Sequence, residues 1–292
     1  MRDRNRTAPT VPPWSMAVVA MLAVQLSNAL SVPLIEHVGA AGTSWLRMSF
    51  GVVFLWLIAR PAVRSLRRRD VPALIALGVV TGFMTTFFLA AVERIPLGTA
   101  VAIEFLGPLT VAGLMSKNRK ALVWPCLAFV GVVLLTEPWN ARIDILGVGF
   151  AVAAGVCWAT YNLLTQRVGD RFSGISGLSL TIPVAALATL PLGLPQVIGG
   201  EFAWWLLPAA AGLALLTPVI AFGFEMLALR RMTHTAFGTL LSLEPAFGVL
   251  IGILVLAQQP TLWQLLGIAL VIGAGAAAQR GGNRSIEPSE SP

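Results

Sequence analysis

Four stretches of this chain, at 71–92, 145–166, 172–200 and 202–224, contain no charged side chain. Each is at least 22 residues long, and about 20 mostly apolar residues suffice for a helix to cross a bilayer. Only 11% of the 292 residues are charged, against roughly a quarter in a soluble domain. The sequence therefore predicts an all-α polytopic membrane protein and argues against the soluble enzyme classes.

Hydropathy along the chain predicts ten membrane-spanning helices. The connections between them are short and carry the Gly, Pro and charged residues typical of helix ends, as in Arg60-Pro61. The expected spans are 14–36, 42–60, 71–92, 97–116, 121–136, 145–167, 173–194, 203–229, 235–256 and 262–279.

The basic residues predict how the chain is oriented. With the N-terminus in the cytoplasm, 17 of the 20 Lys and Arg residues fall in inside segments, at 2–6, 60–69, 117–120, 167–171, 230–231 and 280–284. Arg94 and Arg142 fall outside, and Arg47 lies within a span. Because cytoplasmic loops are enriched in Lys and Arg, we expect a multi-pass protein of the inner cell membrane with both termini in the cytoplasm. The net charge of +7 is thereby explained without a nucleic-acid partner.

One pattern recurs in the second half of the chain. Arg94 precedes Pro108 by fourteen residues and Arg231 precedes Pro245 by fourteen, so that the two pairs are offset by 137 residues. Each pair marks the fourth helix of a five-helix half, and an odd number of helices inserts the second half from the opposite side. We expect two inverted repeats, at 14–136 and 144–279, with tails at 1–13 and 280–292.

Four ionisable side chains lie within the predicted spans: Arg47, Glu104, Glu225 and Glu244. Each costs about 2.5 to 3.5 kcal/mol to insert, so we expect them to face the bundle interior and to be paired or protonated. Glu244 lies near the middle of its span and Glu104 about a third of the way in, so these two are the main candidates for binding substrate or protons. Arg47 and Glu225 lie about one turn from span ends, where a long side chain can reach the interface, so for them a structural role is equally open.

Prolines accompany the two central carboxylates. Pro108 shares a helix face with Glu104, and Pro245 directly follows Glu244. Because proline removes a backbone hydrogen bond, we expect a helix break at Pro108 and at Pro245.

Uncharged polar residues also lie within the spans. Gln25 and Asn28 are three residues apart in the first span, and Tyr161 lies in the sixth. Such residues either contact a substrate or join helices by hydrogen bonds, and the spacing alone leaves both interpretations open.

The sequence contains no motif for a disulfide framework, a metal site or nucleotide binding. Cys126 and Cys157 have neither CxxC spacing nor a His cluster beside them, and no Walker or GxGxxG loop occurs. We therefore expect no catalytic residues, no cofactor, no metal and no nucleic-acid partner.

Four segments, Pro96–Leu109, Cys157–Tyr161, Glu225–Leu229 and Phe237–Ala246, resemble the EamA branch of the drug/metabolite transporter superfamily. Within it they are most similar to the threonine and homoserine exporters. The resemblance implies ten helices in two inverted five-helix repeats, a central cavity lined by helices 1, 3, 4, 6, 8 and 9, and secondary export. The chain departs from the family at Ala257-Gln258, where a Gly-Glu pair is usual.

The leading hypothesis is an exporter of a small polar metabolite, such as the amino acids threonine or homoserine, driven by the proton motive force. Glu104 and Glu244 would bind the substrate ammonium or a proton in competition, and Arg47 or a broken-helix N-terminus would bind the carboxylate. Substrate, protons and the lipid bilayer are then the partners, and a homodimer is left open. The alternatives are a drug or nucleobase exporter, favoured by an aromatic cavity (Phe83, Phe87, Phe88, Trp158), and a non-transporting structural membrane protein.

Overall fold

The computed structural model describes residues 12–59, 70–115, 119–137, 139, 144–168, 175–201, 203–229, 231–232 and 234–281. Nearly all of the predicted tails and most of the basic residues that predict the topology lie outside these ranges. Within them, all regular secondary structure is helical.

The described helices follow one another with short connections. Their bounds are α1 Pro13–Leu30, α2 Val32–Ala59, α3 Val71–Val92, α4 Leu97–Met115, α5 Val123–Thr136, α6 Ile145–Val168, α7 Ile175–Gly199, α8 Leu206–Ala214, α9 Ala221–Leu229, α10 His234–Leu241, α11 Glu244–Leu256 and α12 Leu262–Gly281. Seven stretches are long and apolar enough to cross a membrane, and the shorter apolar helices are Leu97–Val111, Val123–Thr136 and Leu262–Ala278. The prediction of an all-α, multi-pass membrane protein is confirmed.

The third span agrees with its predicted bounds, whereas the first does not. α1 ends at Leu30 instead of residue 36, and α2 already begins at Val32. Gly39 interrupts α2 with φ +70, a conformation that glycine adopts without steric cost. The hydropathy signal runs on through the apolar residues after Leu30, so it does not reveal where the chain turns.

A side chain of α7 stabilises this interruption. Gln196 Oε1 accepts the N–H of Gly42 at 2.9 Å, a first-turn donor that has no intrahelical acceptor after the kink. A β-carbon on Gly39 would lie 2.7 Å from the carboxamide carbon of Gln196. Glycine is therefore required at position 39 both for its backbone conformation and for the approach of Gln196.

Helices from the two halves of the chain pack against each other. α2 packs on α7, α5 on α12, α4 on α11, α3 on α6 and α1 on α9. At the α5–α12 crossing, a β-carbon on Gly131 would lie 2.6 Å from the carbonyl oxygen of Gly267, and one on Gly267 would lie 2.5 Å from that of Gly131. This reciprocal contact joins two residues that are 136 positions apart, close to the offset of the sequence pattern.

Two spans in the second half of the chain are interrupted by non-helical residues or by a turn. A π-turn at Leu215–Ile220 separates α8 from α9, and Thr217 within it is non-helical (φ −143, ψ 117). The ninth span is interrupted at Ser242 and Leu243, directly before Glu244 and Pro245.

The break expected at Pro108 is not found, because α4 continues through it as one helix. Pro108 removes only the hydrogen bond to the carbonyl of Glu104. A β-carbon on Gly155 of α6 would lie 2.8 Å from that carbonyl oxygen. The close approach of α6 at a glycine thus covers the freed oxygen, and the helix remains straight enough to continue.

Candidate functional site

Two amides of α1 face the interior of the bundle. Gln25 and Asn28 are both buried, and their spacing of three residues places them on one face of the helix. Gln25 Nε2 donates to Glu244 Oε1 at 3.5 Å, and Asn28 Oδ1 accepts from Arg47 Nη1 at 3.2 Å. One face of α1 therefore contacts a carboxylate of α11 and a guanidinium of α2.

Arg47 is buried, with 3% of its surface exposed. Its Nη1 also donates to Ser27 Oγ at 3.4 Å, while its Nε is buried without a hydrogen-bond partner. In the described ranges Arg47 forms no ion pair with a carboxylate. The expectation that this side chain can reach the interface is wrong, because Arg47 follows the kink at Gly39 on a face of α2 that is buried inside the bundle.

Glu244 begins α11 and is 8% exposed. Its Oε2 is buried without a hydrogen-bond partner. A helix N-terminus favours a carboxylate at this position. Glu104 and Glu225, both half-buried, lie within electrostatic range of Glu244. The three carboxylates predicted from the sequence thus meet in one region.

The neighbours of Glu104 come from α6. Phe105 and Trp158 have ring centroids 6.1 Å apart, and Cys157 lies within electrostatic range of the Glu104 carboxylate. Tyr161 is half-buried one turn further along α6.

Thr217 is a candidate site residue that the hydropathy reading missed. It is 5% exposed, and its hydroxyl has no hydrogen-bond partner. Ser27 Oγ donates to the carbonyl of Leu213, four residues before Thr217, at 3.3 Å. A proline inside the charge-free run 202–224 is the sequence signal that could have drawn attention to this position.

The break at Thr217 lies beside Arg47. A β-carbon on Gly51, one turn after Arg47, would lie 3.0 Å from Pro218 Cγ. Ser27, which accepts from Arg47, also contacts α8 through Leu213. The Nε of Arg47 and the hydroxyl of Thr217, which both lack a hydrogen-bond partner, therefore lie in the same part of the bundle.

The aromatic residues of α3 pack mainly on other side chains. Phe83 and Phe87 have ring centroids 5.8 Å apart, Phe87 stacks on Phe150 at 6.3 Å, and Phe88 is part of the core. Over the described residues, no group of three or more His, Cys, Asp or Glu side chains is placed to hold a metal ion.

Comparison with known proteins places the chain among transporters. The EamA-like transporter family profile matches residues 145–277. The chain is 34% identical over 272 residues to the threonine/homoserine exporter RhtA of Escherichia coli (strain K12), covering 92% of each chain. It is 32% identical over 277 residues to RhtA of Salmonella typhimurium (strain SL1344), covering 94% of this chain and 93% of that one.

More distant similarities agree with these. The pseudopaline exporter CntI of Pseudomonas aeruginosa (strain UCBPP-PA14) is 23% identical over 283 residues, covering 91% of this chain and 95% of its own. A solved crystal structure with 17% identity covers 92% of this chain and 99% of its own at a TM-score of 0.58, and so shares the fold. Similarity over nearly the full length to named exporters establishes that this chain is a membrane transporter and not an enzyme, and that it belongs to the EamA-like transporter family.

Proposed function

We propose that this protein exports a small amino acid, of the threonine or homoserine kind, and that the proton motive force drives the export. The main support for this proposal is a pair of charged side chains beside α1, each of which has one buried polar atom without a hydrogen-bond partner. Arg47 retains an Nε donor without an acceptor, and Glu244 retains an Oε2 acceptor without a donor. A buried charge without a partner is costly, so both groups favour a ligand that supplies the opposite charges.

The spacing of these groups fits a zwitterion. Gln25 contacts Glu244 and Asn28 contacts Arg47, and three helical residues correspond to about 4.5 Å of rise. An α-amino acid carries its ammonium and its carboxylate on a single carbon. Its carboxylate would accept from Arg47 and from the free Thr217 hydroxyl, and its ammonium would donate to Glu244. The names of the similar E. coli and Salmonella exporters support this substrate class.

Proton coupling would follow from competition at the carboxylates. A carboxylate that binds either a proton or the substrate ammonium exchanges one for the other across the membrane. Glu244 and its neighbours Glu104 and Glu225 are the groups that would do so. The membrane potential supplies about 2.3 kcal/mol per charge per 100 mV, which suffices for modest uphill export per proton.

We further propose that the two halves, 14–136 and 144–279, are inverted repeats that rock against each other. Support comes from the pairing of α2 with α7, α4 with α11 and α5 with α12, and from the reciprocal contact of Gly131 and Gly267. The family profile covers 145–277, nearly the range of the second repeat. The basic residues support an inner-membrane orientation with both termini in the cytoplasm.

The proposal is tested by counterflow in proteoliposomes containing the purified protein. Vesicles loaded with unlabelled threonine or homoserine should accumulate the labelled amino acid transiently, whereas vesicles loaded with a nucleobase should not. Accumulation with the nucleobase alone would favour the drug or nucleobase alternative. Absence of counterflow with every compound would favour a non-transporting role.

A further inference from the structure

A cavity of about 220 Å³ opens at the end of the bundle where α4 and α12 begin and α11 ends. None of its lining residues is charged, and the polar ones are Thr99, Gln258, Gln259, Thr261 and Gln264. The cavity lies at the opposite end of α11 from Glu244, which 13 residues of helix place about 18 Å away. It is therefore separate from the central cluster around α1.

Thr99 contributes a hydroxyl to the lining of this cavity. The residue is 5% exposed, and its hydroxyl has no hydrogen-bond partner among the described residues. Thr81, Thr86, Thr181 and Thr189 instead donate to the carbonyl four residues earlier. Thr99 lies in the first turn of α4, so the residue four positions earlier is outside the helix. Its donor is thus left for a group in the cavity.

Gln258 is held in place at the same cavity. Its backbone N–H donates to the carbonyl of Gly252 at 3.0 Å, after a left-handed Ala257 with φ 52. Its Oε1 accepts the N–H of Leu97 at 3.2 Å. The acceptor end of the carboxamide is therefore occupied, and its Nε2 has no acceptor in the described part of the chain.

Two helix N-termini meet here. The first-turn N–H groups of Gly98 and Thr99 in α4 have no intrahelical acceptor. At the start of α12, Thr261 N–H donates to Gln264 Oε1 at 3.1 Å, and Gln264 N–H donates to Thr261 Oγ1 at 3.2 Å. Both helices direct the positive ends of their dipoles to the cavity, which favours an anion. The Glu137 carboxylate lies outside the lining and accepts the Thr261 hydroxyl.

Two tryptophans mark the depth of this site in the membrane. Trp139 and Trp263 have ring centroids 5.8 Å apart in an edge-on arrangement, and each is about half exposed. Tryptophan is enriched at the level of the lipid headgroups. We therefore infer that the cavity next to Trp263 opens near the level of the lipid headgroups.

We propose that this cavity binds a phosphate oxyanion, supplied either by the phosphodiester of a membrane lipid or by free phosphate. Its donors are the Thr99 hydroxyl, the Gln258 amide and the N–H groups that begin α4. Its volume is below the roughly 300 to 1,000 Å³ of pockets for drug-sized ligands, which suits a single headgroup. The site does not depend on the transported substrate.

Native mass spectrometry of the purified, detergent-solubilised protein tests this site. The probes are phosphatidylglycerol, diacylglycerol with the same acyl chains, and inorganic phosphate as a competitor. The wild-type protein should retain phosphatidylglycerol at least about tenfold more tightly than diacylglycerol. Gln258→Glu keeps an acceptor for the Leu97 N–H but adds a negative charge, and should weaken retention by about tenfold or more. Thr99→Val should weaken it as well, whereas Thr181→Val, which alters a buried threonine of α7, should not.

Each outcome bears on the proposal. Displacement of the lipid by inorganic phosphate would show that free phosphate can fill the site, and persistence of the lipid would assign it to the headgroup. The proposal would be overturned if the protein retained diacylglycerol as tightly as phosphatidylglycerol. It would also be overturned if the protein retained neither lipid and bound no inorganic phosphate. Unchanged retention in Thr99→Val would do the same even if Gln258→Glu failed to fold.

Discussion

Arg47 Nη1 donates to Asn28 Oδ1 at 3.2 Å, one helical turn along α1 from the contact between Gln25 and Glu244. A base of α2 and an acid of α11 are thus held by neutral amides of a third helix instead of by each other. Direct pairing would neutralise both groups and close the site. The amides leave each charge short of one partner, which is the property that a binding site for a zwitterion needs.

Arg47→Gln should raise the KM for the amino acid at least about tenfold, because a hydrogen bond to a charged group contributes about 1.5 to 3 kcal/mol. Arg47→Lys keeps the charge but not the planar fork, so its KM should lie in between. Counterflow kinetics in proteoliposomes provide the measurement, with Arg94→Gln, an exposed arginine near Asp144, as the control. A KM for Arg47→Gln equal to that of the wild type would exclude Arg47 from substrate binding.

Gly155→Ala should lower the free energy of unfolding by about 1 to 3 kcal/mol, and with it the melting temperature. The reason is that the new methyl group would lie 2.8 Å from the carbonyl oxygen of Glu104. Gly149 lies on the same helix, and a β-carbon there would meet nothing within 4 Å. Gly149→Ala is therefore the matched control and should not lower the melting temperature, because alanine favours a helix more than glycine does. Equal melting temperatures for the two variants would contradict the close approach of α4 and α6.

Asp144 directly precedes α6 and makes a contribution to stability that depends on pH. Gly147 N–H donates to Asp144 Oδ1 at 2.8 Å, and Arg94 Nη1 lies 3.2 Å from Oδ2. The Gly147 hydrogen bond, with the Arg94 guanidinium beside it, lowers the pKa of the Asp144 carboxyl below its ordinary value. The carboxylate therefore stabilises the fold fully above its ordinary pKa, and this stabilisation is lost as the pH falls through the lowered pKa of the folded state.

Asp144→Asn should accordingly melt at a lower temperature than the wild type at neutral pH, and the difference should shrink as the pH falls below the ordinary pKa of an aspartate and through the lowered pKa of the folded state. Melting curves in detergent over this range provide the measurement. Glu36→Gln, at an exposed residue of α2, serves as the control for a lost surface charge. A difference that stays constant with pH would show that the charge of Asp144 has no part in stabilising α6.

The sequence predicts the lengths of the spans better than their interruptions. α3 coincides with an uninterrupted apolar run, whereas the turn after Leu30 and the break at Thr217 lie inside apolar runs. Hydropathy measures the free energy of transfer into lipid, averaged over a window of residues. A single Ser, Thr or Pro can redirect the backbone and still change that average little, so the interruption is not visible in it. Burial of Gln25 and Asn28 could be expected from their spacing. Their partners could not, because Glu244 is 219 residues away from Gln25 and only the packing of the helices brings the two together.

Single cysteines should report the proposed orientation. In a Cys126→Ala, Cys157→Ala background, Glu36→Cys should react with an impermeant thiol reagent added to intact cells, because Glu36 is exposed in the first turns of α2. Lys120→Cys, also at an exposed residue, should react only after the membrane is opened. Labelling of both positions in intact cells would contradict a ten-span chain with cytoplasmic termini.

Transport driven by a pH gradient tests whether the carboxylate of Glu244 exchanges a proton for the substrate. In proteoliposomes with an imposed pH gradient, the labelled amino acid should accumulate in the more acidic compartment, because protons leave that compartment in exchange for the substrate. Glu244→Gln keeps an acceptor for the Gln25 amide and should fold, but cannot carry a proton. We expect gradient-driven accumulation by the wild type and none by Glu244→Gln at equal protein content. Accumulation by Glu244→Gln equal to that of the wild type would exclude Glu244 as the group that carries the proton.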